Sequence, residues 1–198
     1  MDPQTQMTAP LEGAATLSEN AHDQNTQSNG AASRPFGEGA VHYVGWTGII
    51  PIQRRTKVPF PGFTGRDGVQ PSYEQSVQAA ASDRRYAVCN LALRRPLGMI
   101  GLDVDAYDDK PGAQTLERLE KDLGRLPDTW RSGSRMPEDP VSGIRLYRVP
   151  EDLEFDGVAG PGIAIVQPHH RTVMAWPSGH PKSGRMYVAL GCQTCFYV

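Results

Sequence analysis

The sequence predicts an α+β domain in which strands outnumber helices. Three observations lead there. Short apolar runs rich in Ile, Val, Leu and aromatic residues recur from GIIPI to RTVMAWP, separated by turns drawn from 21 glycines and 17 prolines. Helical signatures are few. The chain of 198 residues, 38% of them hydrophobic, can build one ordinary core but hardly two.

Taken in order, residues 1–40 are rich in Gln, Asn, Ser, Thr, Ala and Gly, with Phe36 as their sole aromatic residue. Such a stretch buries too little to offset ordering and reads as a disordered tail, leaving 41–198 as the folded domain. HYVGWTGIIPI reads as a helix end or turn at Gly45, then a strand carrying Ile49, Ile50 and Ile52. Arg54, Arg55 and Lys57 follow, and VPFPGFTGRDGVQPS is an extended loop from which Pro71 and Ser72 open a short helix over 73–81. Strands are expected at Tyr86–Leu93 and Met99–Val104 across the turn RRPLG. Pro111 then starts the best-marked helix, with Leu116, Leu119 and Leu123 on one face and Gly124 as its stop. GIRLYRV, GIAIVQ and RTVMAWP return to strands, the last two forming a hairpin across PHH. The ending YVALGCQTCFYV lacks a polar tail and reads as a strand cut short, so the domain is expected to be truncated at its C-terminus.

The formal net charge is -2, but residues 1–40 hold five carboxylates against Arg34, and the remainder carries 19 basic and 17 acidic residues. A mixed surface of this kind neither requires nor excludes a nucleic-acid partner, since a local basic groove matters more than the total. No apolar run approaches the ~18 residues of a membrane span and no leader pattern opens the chain, so a cytoplasmic protein without a membrane partner is expected. Cys89, Cys192 and Cys195 read as thiols. Cys192 and Cys195 form one C-x-x-C pair with no second pair nearby, and zinc is not expected.

GLDVDAYDDKPG holds the chemistry. Alternation in a strand turns Asp103 and Asp105 to one face and Leu102 and Val104 to the other. Two carboxylates at a strand end repel unless a cation lies between them, and their oxygens suit magnesium or manganese. Two such ions activate a hydroxyl and stabilise a leaving pyrophosphate in phosphoryl transfer. The same D-x-D also suits a solvated turn. Asp108 and Asp109 read better as turn and N-cap residues.

Further motifs accompany the pair. GW precedes IPI and Lys57; NLALRRPLGMIGLDVDAYDDKPGAQTL, LPDTWRSGSR, SGIRLYRVP and HHRTVMAWPSGHP follow, with Tyr187 beyond. This succession, from about Tyr43 to Tyr187, resembles the bifunctional primase-polymerase domain of the archaeo-eukaryotic primase superfamily, especially versions from actinobacterial phages and mobile elements. The resemblance implies a core with an RRM-like mixed or antiparallel sheet flanked by helices. It also implies template-directed synthesis of DNA or RNA from nucleoside triphosphates on a single-stranded DNA template, with two divalent metals. A replicative helicase would be a separate or missing module, since no Walker-type G-x-x-x-x-G-K-[ST] occurs in the chain.

By the same resemblance Asp103 and Asp105 are catalytic metal ligands. The family's Ser-Gly-Gly-x-His run appears as Ser142, Gly143, Ile144 and Arg145, which assigns Ser142 and Arg145 to the triphosphate; arginine's planar fork suits phosphate oxygens. On residues alone, Arg145 and Arg148 also read as outward, solvated strand arginines. A third carboxylate expected in a strand such as GIEIVQ is Ala164 here, which leaves a weakened or inactive nucleotide- or nucleic-acid-binding module as the alternative. His170, Arg171 and Ser178 are further nucleotide contacts, although PHH also reads as a polar turn. Lys57, Ser134, Arg135 and Arg148 are candidates for phosphate or nucleic acid, or ordinary surface groups. Trp46, Trp130 and Trp176, each beside apolar or Pro residues, read as core anchors. A nuclease using the Asp pair explains neither SGIRLYRVP nor PSGHP.

Overall fold

A computed structural model describes residues 34–168 and 172–191. The disordered reading of 1–33, the nucleotide-contact reading of His170 and Arg171 and the thiol and chain-end readings of 192–198 fall outside these residues. Order begins earlier than composition suggests. Helix α1 (Pro35–Gly39) opens on Pro35, and Phe36 is wholly buried in the main core, so one aromatic anchor overrides the polar composition around it. A 3-10 turn over Ala40–His42 follows.

Strand β1 (Ile49–Ile52) and helix α2 (Tyr73–Ser82) form where the pattern places them. Ser72 and Gln75 close a reciprocal capping box at the start of α2, and Ser76 Oγ donates to the Ile49 carbonyl at 2.9 Å, tying the helix to β1. The run expected as one strand from Tyr86 is split. Asp83 caps a single-turn helix α3 (Arg84–Ala87) by accepting the Arg85 N–H, and the strand β2 begins only at Asn90 (Asn90–Leu93). Local capping outcompetes the β-propensity of Tyr86 and Val88.

Beyond β3 (Met99–Val104) come helix α4 (Gly112–Leu123) and strands β4 (Arg131–Gly133), β5 (Gly143–Arg148), β6 (Val158–Gly160), β7 (Ile163–Val166), β8 (Val173–Met174) and β9 (Val188–Leu190). Leu116 and Leu119 are partly covered, but Leu123 is 81% exposed at the last turn. The covered stripe is completed instead by Gly112 and Thr115. Asp109 does not cap α4: the N-cap is Pro111 and no side chain bonds there, while Asp108 holds the turn at φ 52.

The strands form two antiparallel sheets. One has the order β1-β2-β8 and the other β6-β7-β3-β5-β4-β9. The expected β7–β8 hairpin does not form, because the two strands belong to different sheets. Within the larger sheet, β7-β3-β5-β4 is the 4-1-3-2 arrangement of a β-α-β-β-α-β unit with α4 as first crossover. In place of a second crossover helix, residues 149–162 supply a turn and β6. The fold is therefore α+β. The main core draws on both sheets: Ile49, Leu91, Leu93 and Val173 from the smaller, Met99 and Leu146 from the larger, with Trp46 and Trp130 between helices and strands. Trp176 is half-buried, its carbonyl accepting the Tyr43 hydroxyl and its ring edge-on to His42.

Candidate active-site cleft

Register decides which side chains share a face. Asp103 pairs with Ile144 on one side and Ala164 on the other, so these three, with Ser132 one strand further, line one face of the larger sheet. That face borders a cleft of about 980 Å³ whose walls include Asp103, Asp105, Ser142, the loop around Lys57 and the segment around His180 and Tyr187. Alternation thus places both aspartates together, as the sequence implies.

The backbone after β3 is fixed from several sides. Asp105 N–H donates to the Gly162 carbonyl at 2.8 Å, and the Asp105 carbonyl accepts Gly112 N–H at 2.9 Å. A Cβ on Gly112 would lie 2.2 Å from that carbonyl, so only glycine permits the approach of α4. Ser142 is buried, and its Oγ accepts the Ala106 N–H at 3.0 Å, while Asp139 Oδ1 accepts the N–H groups of Val141 and Ser142. Ser142 is on the cleft wall, but its hydroxyl is engaged in shaping the aspartate turn.

Lys110 Nζ lies 2.5 Å from Asp105 Oδ2 and 2.8 Å from the Tyr107 hydroxyl, and these bonds hold its ammonium above the ordinary lysine range. The Arg135 guanidinium stacks 3.9 Å from the Tyr107 ring centre. Lys57 lies 5.9 Å from the centre of the Tyr187 ring, and burial, followed by the charge of Asp103, keeps the Tyr187 phenol protonated. His180 is pushed below its ordinary range by burial first, then by Lys57, Arg135 and Lys182. Its Nδ1 accepts the Ser183 N–H at 3.2 Å, which puts the ring proton on Nε2. The cleft therefore gathers an acidic pair and several cationic side chains around one space.

Three expected contacts are placed elsewhere. Ser178 has no exposed surface: its Oγ donates to the Leu91 carbonyl and accepts the Leu91 N–H, both at 2.8 Å, so it joins the 177–181 loop to β2. Arg145 pairs with Leu102, one residue out of phase with Asp103, and projects to the face covered by α4, where Glu120 lies near it. Arg148 pairs with Met99 at the far end of β5, beside Trp46 and Leu97 in a separate pocket. Tyr107 and Lys182 also line the cleft and were not singled out by the sequence reading, which noted His180 only as part of the loop after RTVMAW. The signal available was the density of His, Lys and Arg in GHPKSGR just before Tyr187.

Two carboxylates from alternating positions are hard oxygen donors of the kind magnesium takes, one or two at a time with water and phosphate completing its shell; at Asp105 such a cation would take the place of the Lys110 ammonium. Among the described residues no group of three or more Asp, Glu, His or Cys side chains gathers. No helix among them is long and apolar enough to cross a membrane.

The fold is an antiparallel α+β core, with an acidic pair and cationic side chains lining one cleft. The chain belongs to the bifunctional DNA primase/polymerase family, whose N-terminal domain model matches residues 40–194. No curated protein and no solved structure matches it. Membership places it in a nucleotidyltransferase family of the primase/polymerase type, one that generally depends on divalent metal and binds DNA and nucleotides.

Proposed function

We propose that the cleft performs template-directed nucleotidyl transfer in phage- or plasmid-type DNA replication, as primase, polymerase or both. The observation that carries this is that Asp103, Asp105, Lys57, Arg135 and His180 line one cleft. Asp103 and Asp105 would hold magnesium or manganese. A cation there supplies activation of the 3′-hydroxyl and neutralises the leaving pyrophosphate. The chain's own groups do the rest. Lys57 and the stacked Arg135 bind triphosphate oxygens, and neutral His180 offers Nε2–H as a donor. The protonated phenol of Tyr187 orients polar groups of the incoming nucleotide without adding a second negative charge beside Asp103.

A second reading rests on Ala164. It stands directly across from Asp103, where the family resemblance expects a third carboxylate, and methyl in place of carboxylate weakens the hold on metal. On that reading the domain is a weakened enzyme or a nucleotide-binding module.

Primer extension and de novo priming on single-stranded DNA, in magnesium or manganese, separate the two. Activity lost in Asp103→Ala/Asp105→Ala supports the enzyme. Activity appearing only in Ala164→Glu marks a weakened one, and nucleotide binding without synthesis in any variant supports the binding module.

A further inference from the structure

Beside the cleft, a second surface combines arginines with aromatic rings. Residues 53–58 close a tight turn, with Gln53 N–H donating to the Val58 carbonyl at 2.9 Å, and Ile52 bridges to Pro59. The tip of this hairpin exposes Arg54 and Arg55, the latter at φ 58, while Lys57 on its descending arm reaches the cleft. Phe60, just past the turn, meets Tyr86 of α3 edge to face at 5.3 Å. The Arg85 guanidinium lies 5.5 Å from the centre of the Tyr86 ring, with its side chain 80% exposed and bonded to Asp83 Oδ2 at 2.6 Å, an exposed pair that a phosphate can replace.

Buried Cys89 fastens the two halves of this patch together. Its thiol donates to the Arg85 carbonyl at 3.0 Å and lies close to Arg54 at the base of the hairpin tip. Within segments 53–60 and 83–89 there are five basic residues, Arg54, Arg55, Lys57, Arg84 and Arg85, against one carboxylate, Asp83.

We propose that Arg54, Arg55, Phe60, Arg85 and Tyr86 form a track for single-stranded nucleic acid leading into the cleft by way of Lys57. The chemistry matches such a strand in both respects: guanidinium groups neutralise successive phosphates, and half-buried rings beside them offer faces and edges to unpaired bases regardless of sequence. A phosphate-only ligand would have no use for the Phe60–Tyr86 pair. The proposal rests on the primase/polymerase reading for its direction into the cleft, but the surface itself stands on its own geometry.

The test is anisotropy of a fluorescent thirty-nucleotide oligo-dT against the full chain over a salt series. Arg54→Gln/Arg55→Gln/Arg85→Gln is expected to weaken binding about ten-fold at low salt and to flatten the slope of log K against log salt by about 2, as three lost phosphate contacts require. Should that variant not fold, Arg54→Gln/Arg55→Asn alone, with Asn suited to positive φ, is expected to weaken binding about three-fold and flatten the slope by about 1.4. Unchanged affinity and slope, or a wild-type chain that does not bind oligo-dT, overturns the track. Manganese-dependent nucleotide binding, measured in parallel, should be unaffected by these substitutions and lost in Asp103→Ala/Asp105→Ala. Oligo-dT binding that survives the aspartate changes but falls with the arginines supports the track even if the chain synthesises nothing.

Discussion

At the scale of single residues, the Ser142 hydroxyl has a structural task besides any contact its O–H makes in the cleft: its Oγ accepts the Ala106 N–H. Replacing Ser142 with Ala leaves the Ala106 N–H without its acceptor in a partly buried turn, at a cost of about 1 kcal/mol. Ser142→Ala should lower the urea midpoint accordingly and reduce extension activity, because the turn it shapes carries Asp105; an unchanged midpoint would remove this role. His180 gives a sign that NMR can read. Its pKa in the folded state lies below the ordinary 6.5, so the unfolded chain binds the proton more strongly. Its contribution to stability is complete above pH 6.5 and is lost as the pH falls from there toward the folded value. The His180 titration should have its midpoint under 6.5, move up in Lys57→Ala, and move up again when a triphosphate enters the cleft. A midpoint at or above 6.5 in the free protein contradicts this cationic setting. The shared face of Asp103 and Asp105 was legible in the sequence from strand alternation, although D-x-D by itself also suited a solvated turn and only the linked motifs around it marked a site. The settings of Ser178 and Arg145 were not legible: the fate of Ser178 depends on a bond to Leu91, far away in sequence, and that of Arg145 on which residue of β3 it faces.

At the scale of elements, the sequence revealed what local signals control. The capping box at Ser72, the β3 run before the aspartates and the glycine stop after α4 all act within a few residues. What it hid was decided by tertiary contact or competing caps: α1 held by buried Phe36, α3 cut out of an expected strand by Asp83, and β7 and β8 sent to different sheets. The seam between α4 and the aspartate turn also depends on contact, and it is sharply testable. Gly112 and Gly162 both abut the Asp105 backbone, Gly162 at φ 74. Gly112→Ala should therefore displace α4 or the turn, lower stability by about 1–3 kcal/mol and impair metal-dependent nucleotide binding. Gly124→Ala serves as a comparison, since no atom crowds that position and only its positive φ is strained. If the two variants bind metal and nucleotide alike, the close approach at Gly112 has no bearing on the site.

At the scale of the whole molecule, the cleft borders two sheets that one core and a few cross-links hold in place. Ser132 Oγ on the larger sheet donates to the Met174 carbonyl of the smaller at 2.7 Å, and Met174, Tyr187 and Ile50 pack in a satellite cluster beside the cleft. A ligand that bridges the walls binds the folded chain and not the unfolded one, so it must raise the melting temperature. Manganese with a deoxynucleoside triphosphate at about a hundred times Kd contributes about 2.7 kcal/mol, which for a domain of this size is about 5–10 °C. Asp103→Ala/Asp105→Ala should abolish the manganese-dependent part of this shift. Ala164→Glu should bring the shift in at lower manganese concentration, because its carboxylate would join Asp103 across the β3–β7 register. A shift that needs nucleotide but ignores both manganese and the aspartates would make the cationic side chains the whole of the site and the acidic pair a bystander, and nucleotidyl transfer would then have no place in this cleft.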